Sequence, residues 1–285
     1  MTTLATDGIG SRTVAQIRPA TAIEIEVVKD REALAQVFAE AVLATVRQAV
    51  AQGRRAVVIM PVGPTGQWRL LAPLARREHL SLAALHIIQM DEYLGPDAAT
   101  WLPASHPFSF RGFVQSSFAD EAVRECGFRA ENWLVPEPAH LDLVDARIRE
   151  WGGVDVAFGG VGLNGHMAFN EPPGPSSRWT AETFPDSPAR VQQIAETTKA
   201  TNSIFGTGGD LTAMPDYAVT VGMRQILGAR RIHLFLDWPW QRNVFRRAVL
   251  GPVTIAFPAS LVQRHGNVRF TITEEVAEPH VVNPE

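Results

Sequence analysis

The strongest constraint on the fold is a set of short, continuous apolar segments that alternate with helical patterns. The segment Ala56-Val-Val-Ile-Met60 has no polar residue, and the turn-rich stretch Pro61 to Gly66 follows it before a helix-like region runs to Arg77. Apolar strands of this kind are typical of parallel sheets, whose two faces are both covered by crossover helices. The pattern therefore predicts β-loop-α units.

The same alternation continues along the chain. A strand at Ile23 to Val28 precedes a helix at Arg31 to Gln52, with Asp30 as its N-cap and Gly53 at its end. Further predicted strands are Leu85 to Met90, Val154 to Phe158, Tyr217 to Val221, Ile232 to Leu236 and Val268 to Thr273, and further helices are Leu141 to Trp151, Gln241 to Leu250 and Pro258 to His265.

We predict an α/β fold, a Rossmann-like three-layer sandwich with a mostly parallel central sheet, in a single domain over residues 21–276. Residues 1–20 and 277–285 show no periodicity and are expected to be flexible tails.

Composition narrows the class of partner. The formal net charge of -4 provides no basic field for a phosphate backbone, so we expect a small-molecule substrate and no nucleic acid. The only cysteine, Cys126, cannot form an internal disulfide, and no charged-then-apolar leader opens the chain, which favours a cytoplasmic setting. The apolar runs are too short to predict a membrane-spanning helix. The oligomeric state is left open, with a homo-oligomer as one expectation.

One segment concentrates groups capable of proton transfer. Gly159 to Pro172 follows a predicted strand and contains His166 and Glu171 close together, after several glycines that let the backbone approach a ligand. An imidazole can take and return a proton near neutral pH, and a carboxylate nearby can fix its tautomer. A lone histidine after such a turn is more often structural, but this clustering favours a catalytic pair.

Two carboxylates follow the strand at Leu85 to Met90. Asp91 and Glu92 point in opposite directions if strand geometry persists, so one can face a cleft. Asp91 is the candidate base and Glu92 a candidate substrate contact. The structural alternative is an aspartate that caps a helix or forms a turn.

A third candidate is the turn Gly63-Pro-Thr-Gly66, which opens a helix. Free N–H groups at a helix start attract anions, so Gly63, Thr65 and Gly66 are candidate substrate-binding residues. Glycines in tight βα turns also serve purely structural purposes. No paired cysteines, no His-Glu-x-x-His, no dinucleotide fingerprint and no Gly-x-Ser-x-Gly elbow is present, so neither a metal nor a cofactor is expected.

Four segments, in this order, resemble the glucosamine-6-phosphate deaminase/isomerase family over about Glu24 to Glu275. They are Met90-Asp-Glu-Tyr-Leu-Gly95, His106-Pro-Phe-Ser-Phe110, Gly160 to Pro172, and Ala218-Val-Thr-Val-Gly222. The related 6-phosphogluconolactonases share the fold, but Tyr93 and Asn170-Glu-Pro172 favour the isomerase branch.

The resemblance implies a reaction and roles for its residues. In that family the aspartate matching Asp91 shuttles a proton between C1 and C2 of an open-chain sugar, and the histidine matching His166 opens the pyranose ring. The glutamate matching Glu171 supports the histidine together with an aspartate, whose place Asn164 takes in this sequence. An amide can hold an imidazole but stabilises its positive charge less than a carboxylate would.

The family's phosphate-binding residues are altered. Its hydroxyl-rich loop corresponds to Val62 to Gly66, and its arginine falls on Ile204. Its lysine falls near Trp240 or Gln241. Gly162, Trp240 and Arg242 are further candidate substrate-binding residues. Trp101, Trp238 and Trp240 are expected either to form an aromatic wall for a sugar or to pack structurally.

The sequence therefore predicts a cofactor-independent aldose–ketose isomerase or deaminating isomerase, with the family's conversion of glucosamine 6-phosphate to fructose 6-phosphate and ammonia as the default. Three alternatives stay open: an isomerase of an unphosphorylated or differently charged sugar, a sugar lactonase, and a non-catalytic sugar sensor.

Overall fold

The computed structural model describes residues 8–280, which fold around a seven-stranded sheet. The strands are β1 (Glu24–Val28), β2 (Ala56–Met60), β3 (Leu85–Gln89), β4 (Asp91–Leu94), β5 (Trp133–Leu134), β6 (Val156–Gly159), β7 (Arg190–Gln193), β8 (Tyr217–Thr220), β9 (Arg231–Leu236) and β10 (Val268–Thr273). The α-helices are α1 (Val14–Ile17), α2 (Arg31–Ala51), α3 (Gly66–Arg77), α4 (Phe110–Val114), α5 (Asp120–Glu125), α6 (Asp142–Trp151), α7 (Glu196–Gly206), α8 (Met223–Leu227), α9 (Gln241–Leu250) and α10 (Glu274–Ala277).

The main sheet is parallel throughout and is covered on both faces. Its strand order is β1-β10-β9-β6-β2-β3-β5. Alternate residues of β2 belong to two separate buried clusters, Val57 to one and Val58 to the other. Because successive strand side chains point to opposite faces, each cluster lies on its own side of the sheet, one against α8 and α9 and the other against α2 and α3. The predicted three-layer fold is confirmed.

Local patterns placed several elements correctly. The predicted strand at Ala56–Met60 has the same bounds in the structure, and all its residues are buried. Helix α2 begins at Arg31, and the Asp30 side chain accepts a hydrogen bond from the Ala33 amide, as an N-cap should. A continuous apolar run and a cap are local signals, so they can be recognised in the sequence without knowledge of tertiary contacts.

A second sheet departs from the prediction. Strands β4, β8 and β7 form an antiparallel sheet, in which Asp91 is paired with Thr220. The segment Tyr217 to Val221, predicted as one more strand of the mostly parallel fold, therefore contributes to this smaller sheet. The Met90 amide still bonds the Met60 carbonyl (2.8 Å), so the chain leaves the main sheet just before Asp91.

The described part of the N-terminal segment is folded, unlike the tail predicted for residues 1–20. Thr13 caps helix α1, Ile17 is fully buried, and the Arg246 guanidinium donates to the Arg12 carbonyl. At the other end Val276 is buried in α10. Residues 1–7 and 281–285 of the predicted tails lie outside the described residues.

Helix α2 is long and apolar enough to satisfy a composition test for a membrane span, with a mean hydropathy of 1.2 over an 18-residue window. Leu34, Phe38, Val42 and Val46 on this helix are completely buried in the core. Its apolar face is therefore used in packing against the sheet.

Candidate active site

A cavity of about 230 Å³ opens beyond the carboxyl ends of β2, β3, β6 and β9. This volume is below the roughly 300–1,000 Å³ of sites for drug-sized ligands, so the cavity is sized for a smaller molecule. The cavity is lined by Pro61, Val62, Gly63, Pro64, Met90, Asp91, Phe110, Gly160, Val161, Gly162, His166, Ala168, Phe169, Asn202, Phe235, Asp237, Trp238, Trp240 and Gln241. Asp91 and His166 thus face the same space.

The first residue of β4, Asp91, is held in a buried position by the turn from the main sheet into the antiparallel one. Its side chain lines the cavity, and its own carbonyl accepts a hydrogen bond from the Gln89 side chain. Burial, together with the neighbouring Glu92 carboxylate, raises the pKa of Asp91 to about 8. This shift favours the protonated form of Asp91, and a cation beside it would favour the carboxylate.

Glu92 does not line the cavity, contrary to its assignment as a substrate contact. Its carboxylate accepts hydrogen bonds from the amides of Tyr93, Phe110 and Arg111, two of which lie at the start of α4. Strand geometry persists through β4, so Asp91 and Glu92 point to opposite sides, and Glu92 points towards the helix. Glu92 caps α4 from outside the helix.

His166, Asn164 and Glu171 form a connected group. The Nδ1 atom of His166 lies 2.7 Å from the Oδ1 atom of Asn164, whose Nδ2 donates to a Glu171 carboxylate oxygen at 2.7 Å. Glu171 is buried and also accepts from the Ala195 amide. The Thr198 hydroxyl lies 3.2 Å from the same Nδ1 atom. Asn164 therefore links the imidazole to the carboxylate.

This hydrogen bonding assigns the histidine tautomer. A carboxylate only accepts, so the Asn164 amide must turn its NH₂ group to Glu171 and its oxygen to His166. The Nδ1 atom then carries the proton, and Nε2 has a free lone pair. Burial lowers the pKa of His166, and the charge of Glu171 opposes this shift. The neutral ring is thus set to act as a base.

Glycine at position 162 is required by the histidine ring. A Cβ atom added there would lie 2.0 Å from Cε1 and 2.3 Å from Nε2 of His166. The Gly162 amide also donates to the His166 carbonyl at 3.0 Å, which closes the loop on itself. Gly162 therefore shapes the site as well as lining it.

The loop after β2 is only partly at the cavity. Gly63 and Pro64 line it, whereas Thr65 and Gly66 do not. A Cβ at Gly66 would lie 2.7 Å from the Ala35 side chain, so this glycine permits close packing of α3 on α2. The assignment of Thr65 and Gly66 as substrate contacts is thus not matched by their positions, because the turn directs only its first half towards the cavity.

Of the two substrate contacts predicted after β9, Trp240 lies at the cavity and Arg242 does not. Trp240 lines the cavity together with Trp238. Arg242 does not, because its guanidinium binds the Glu275 carbonyl and the Glu278 carboxylate. Trp101 also lies elsewhere, with its indole N–H on the Pro136 carbonyl. Two of the three tryptophans, Trp238 and Trp240, thus line the cavity.

Three polar residues at the site were missed by sequence reasoning. Asn202 and Asp237 line the cavity, and Thr198 contacts His166. Asp237 follows directly on β9, a position that the rule for parallel sheets could have identified. Thr198 and Asn202 lie on α7, a helix that was not predicted from the sequence.

No arrangement of three or more His, Cys, Asp or Glu side chains suitable for a metal ion occurs within residues 8–280. The ionisable side chains that line the cavity are those of Asp91, Asp237 and His166.

Comparison with known proteins gives extensive similarity to a set of curated relatives. The chain is 31% identical over 263 residues to glucosamine-6-phosphate deaminase of Rhodopirellula baltica, an alignment covering 90% of this chain and 95% of the relative. The chain belongs to the glucosamine-6-phosphate deaminase family. Another member, from Streptomyces coelicolor, is 28% identical over 265 residues, covering 90% of this chain and 92% of that protein. No protein-family model matches the sequence.

Solved structures show the same fold. A monomeric glucosamine-6-phosphate deaminase described as the missing link of the NagB superfamily superimposes with a TM-score of 0.75 at 24% identity, covering 90% of this chain and 99% of that one. The 6-phosphogluconolactonase from Trypanosoma cruzi superimposes with a TM-score of 0.65 at 17% identity, covering 90% and 96%. Membership of the deaminase family thus rests on sequence, and the lactonases share its fold.

Proposed function

We propose that the protein is a cofactor-independent deaminating isomerase that opens the ring of an amino-hexose, moves a proton from C2 to C1 and releases ammonia. The observation that carries this proposal is that Asp91 and His166 line one cavity at the carboxyl end of the sheet. Family membership supports the same reaction class.

Ring opening is assigned to His166. Its Nε2 lone pair takes the proton of the anomeric hydroxyl and returns it to the ring oxygen as the C1–O5 bond breaks. The transient imidazolium is stabilised by Glu171, whose carboxylate lies 3.5 Å from Nδ1. General acid–base assistance of this kind contributes roughly 10²–10⁴-fold to rate.

Proton transfer between carbons is assigned to Asp91. As a carboxylate it removes the C2 proton of the open-chain aldehyde while the aldehyde oxygen takes a proton from the C2 ammonium group, which gives an enolamine. Asp91 then returns its proton to C1. The resulting C2 imine adds water from solvent and loses ammonia, leaving the ketose. Amino sugar and water are thus converted to ketose and ammonia without an external oxidant.

An amino-hexose fits the electrostatics of Asp91 better than a neutral hexose does. The pKa of Asp91 is raised to about 8 because its charge is buried and lies beside Glu92. A substrate ammonium group at C2 would supply the missing opposite charge and favour the carboxylate. The substrate would then help to generate its own base.

The test is a time course with glucosamine, glucose and their 6-phosphates, followed by ammonia assay and NMR of the ketose. Stoichiometric ketose and ammonia from an amino-hexose supports the proposal. Ketose from a hexose without any deamination would replace it with a simple isomerase.

Two other functions predict different results in the same assay. A lactonase, with His166 activating water, would hydrolyse a sugar lactone and leave all four sugars unchanged, and this activity would survive Asp91→Asn. A non-catalytic sensor would bind a sugar without converting it.

A cytoplasmic homo-oligomer stays a prediction for the protein's setting. Its one cysteine, Cys126, is buried and unpaired, which is compatible with a reducing compartment. Light scattering after gel filtration measures the oligomeric state directly.

A further inference from the structure

The ionisable side chains that line the cavity are two carboxyl groups and one imidazole. They belong to Asp91, Asp237 and His166, and no arginine or lysine lines the cavity within residues 8–280. A phosphate dianion is normally held by several charge-assisted hydrogen bonds from cations and free amides. The described cavity offers no such cation.

The end of the cavity away from Asp91 contains a carboxylate. Asp237 follows β9, whereas Asp91 follows β3, and strands β6 and β2 lie between them in the sheet. Burial raises the pKa of Asp237, while the Arg31 guanidinium opposes that rise. An anion at this end would therefore lie beside a half-buried acidic group.

Arg31, a cation beside Asp237, already contacts other groups. The Arg31 guanidinium donates to the Asp237 carbonyl at 3.1 Å, lies 3.6 Å from its carboxylate, and stacks 3.5 Å over the Trp238 ring. Arg31 is not among the residues that line the cavity. Its contacts pair the guanidinium with Asp237 and hold Trp238 in place.

The amide in the region of the family's lysine, Gln241, is also engaged with the backbone. Gln241 accepts from the backbone amides of Asp237 and Trp238 and donates to the Val161 carbonyl, each at 2.9 Å. It organises the loop and is a neutral amide, so it cannot supply the charge of the family's lysine. On α7 the exposed Ile204 is apolar and is not among the residues that line the cavity.

We infer that the far end of the cavity takes an uncharged, hydroxyl-bearing carbon of an unphosphorylated amino-hexose, with Asp237 as the hydrogen-bond acceptor and Trp240 against the sugar. This specificity rests on the proposed deaminating isomerase function and defines its substrate class. A carboxylate accepts hydrogen bonds from sugar hydroxyls but repels a phosphate.

The experiment measures binding separately from turnover. Isothermal titration calorimetry of the folded Asp91→Asn variant, which cannot transfer the proton, compares glucosamine with glucosamine 6-phosphate. The expected result is at least about ten-fold tighter binding of glucosamine, a difference of about 1.4 kcal/mol. Equal or tighter binding of the phosphate, or no binding of either sugar, overturns the inference.

A second variant tests whether Asp237 contributes to the binding of glucosamine. Asp237→Asn in the same background preserves size and is expected to weaken glucosamine binding by about five- to ten-fold, since a neutral amide oxygen is a weaker acceptor than a carboxylate. The exposed Asp120→Asn on α5 is the matched control and should leave binding unchanged. Unchanged binding in Asp237→Asn would overturn the role of Asp237.

Failure of this inference can be told apart from failure of the proposed function. Conversion of glucosamine 6-phosphate alone by the wild-type protein, with ammonia release, would uphold the reaction and reject the unphosphorylated substrate. Tight binding of glucosamine with no conversion of any sugar would reject the reaction.

Discussion

The carboxylate of Glu171 lies 3.5 Å from the Nδ1 atom of His166, and the Asn164 side chain hydrogen-bonds to both. The imidazole is thus oriented by an amide, while the carboxylate acts on it through space. Burial is the larger influence, so the pKa of His166 is below its usual value of 6.5, and the Glu171 charge opposes this shift. Asn164 orients the ring without adding a charge beside it.

Asn164→Asp should raise the pKa of His166. A carboxylate at this position would pair directly with the ring, while its repulsion from Glu171 would favour a proton on the group. We expect a rise of at least about one unit, or about 1.4 kcal/mol, in an NMR titration of the ring nitrogens. Asn164→Ala, which adds no charge, is the control. An unchanged or lower pKa in the aspartate variant would show that Asn164 does not govern the charge of the ring.

Gly162→Ala should disable ring opening without unfolding the protein. The new Cβ would overlap the His166 ring, which must rotate away from the cavity. We expect turnover of the cyclic sugar to fall by about 10²-fold or more, since general acid–base assistance is lost. Gly174→Ala is the matched control, because no atom lies within 4 Å of its Cβ position. Full activity in Gly162→Ala would contradict the assigned role of the ring.

Asp91→Asn should stabilise the fold at neutral and alkaline pH. The pKa of Asp91 is raised from 3.8 to about 8, so its contribution to stability is complete below 3.8 and is lost as pH rises through 8. Asparagine cannot ionise and avoids this loss. We expect the difference in unfolding free energy between variant and wild type to grow by at least ~1 kcal/mol from pH 5 to pH 8. Denaturant unfolding at both pH values measures it, and a constant difference would show that Asp91 is not strained by its charge.

Glu92→Ala should destabilise the protein while leaving substrate affinity in place. Removal of the carboxylate leaves the amides of Tyr93, Phe110 and Arg111 without their acceptor, at a cost of ~2–4 kcal/mol. Urea unfolding and KM are both measured. The surface residue Glu121, paired with Arg76 at 3.4 Å, provides the control variant Glu121→Ala, which should lose at most about 1 kcal/mol. A large rise in KM with normal stability would restore Glu92 as a substrate contact.

The sequence predicted best what depends on local chemistry. The apolar run Ala56–Met60 and the cap at Asp30 were located correctly, because burial on both faces and an N-cap leave signals within a few residues. The separate sheet containing β4 was not foreseen. Its pairing of Asp91 with Thr220 joins segments 129 positions apart (220 − 91), which no local pattern specifies.

Part of the candidate site could also be predicted from local patterns. Asp91, Gly162 and His166 follow predicted strands of a parallel sheet, where active sites form, and they line the cavity. Arg242 was misplaced because proximity in sequence to Trp240 does not fix the direction of a helical side chain, and the C-terminal carbonyls and Glu278 bind it instead. Asn202 was missed because α7 contains few apolar residues and gave no helix prediction.

Exchange of sugar protons with solvent tests directly whether Asp91 transfers a proton between C2 and C1. Wild-type protein and Asp91→Asn are each incubated with an amino-hexose in D₂O, and deuterium at C1 of the ketose product and at C2 of the recovered amino-hexose is followed by NMR, with circular dichroism verifying that both proteins are folded. We expect deuterium incorporation by the wild type and a loss of at least about 10²-fold in the variant. Equal incorporation by both proteins, or none by the wild type with any sugar tested, would contradict it.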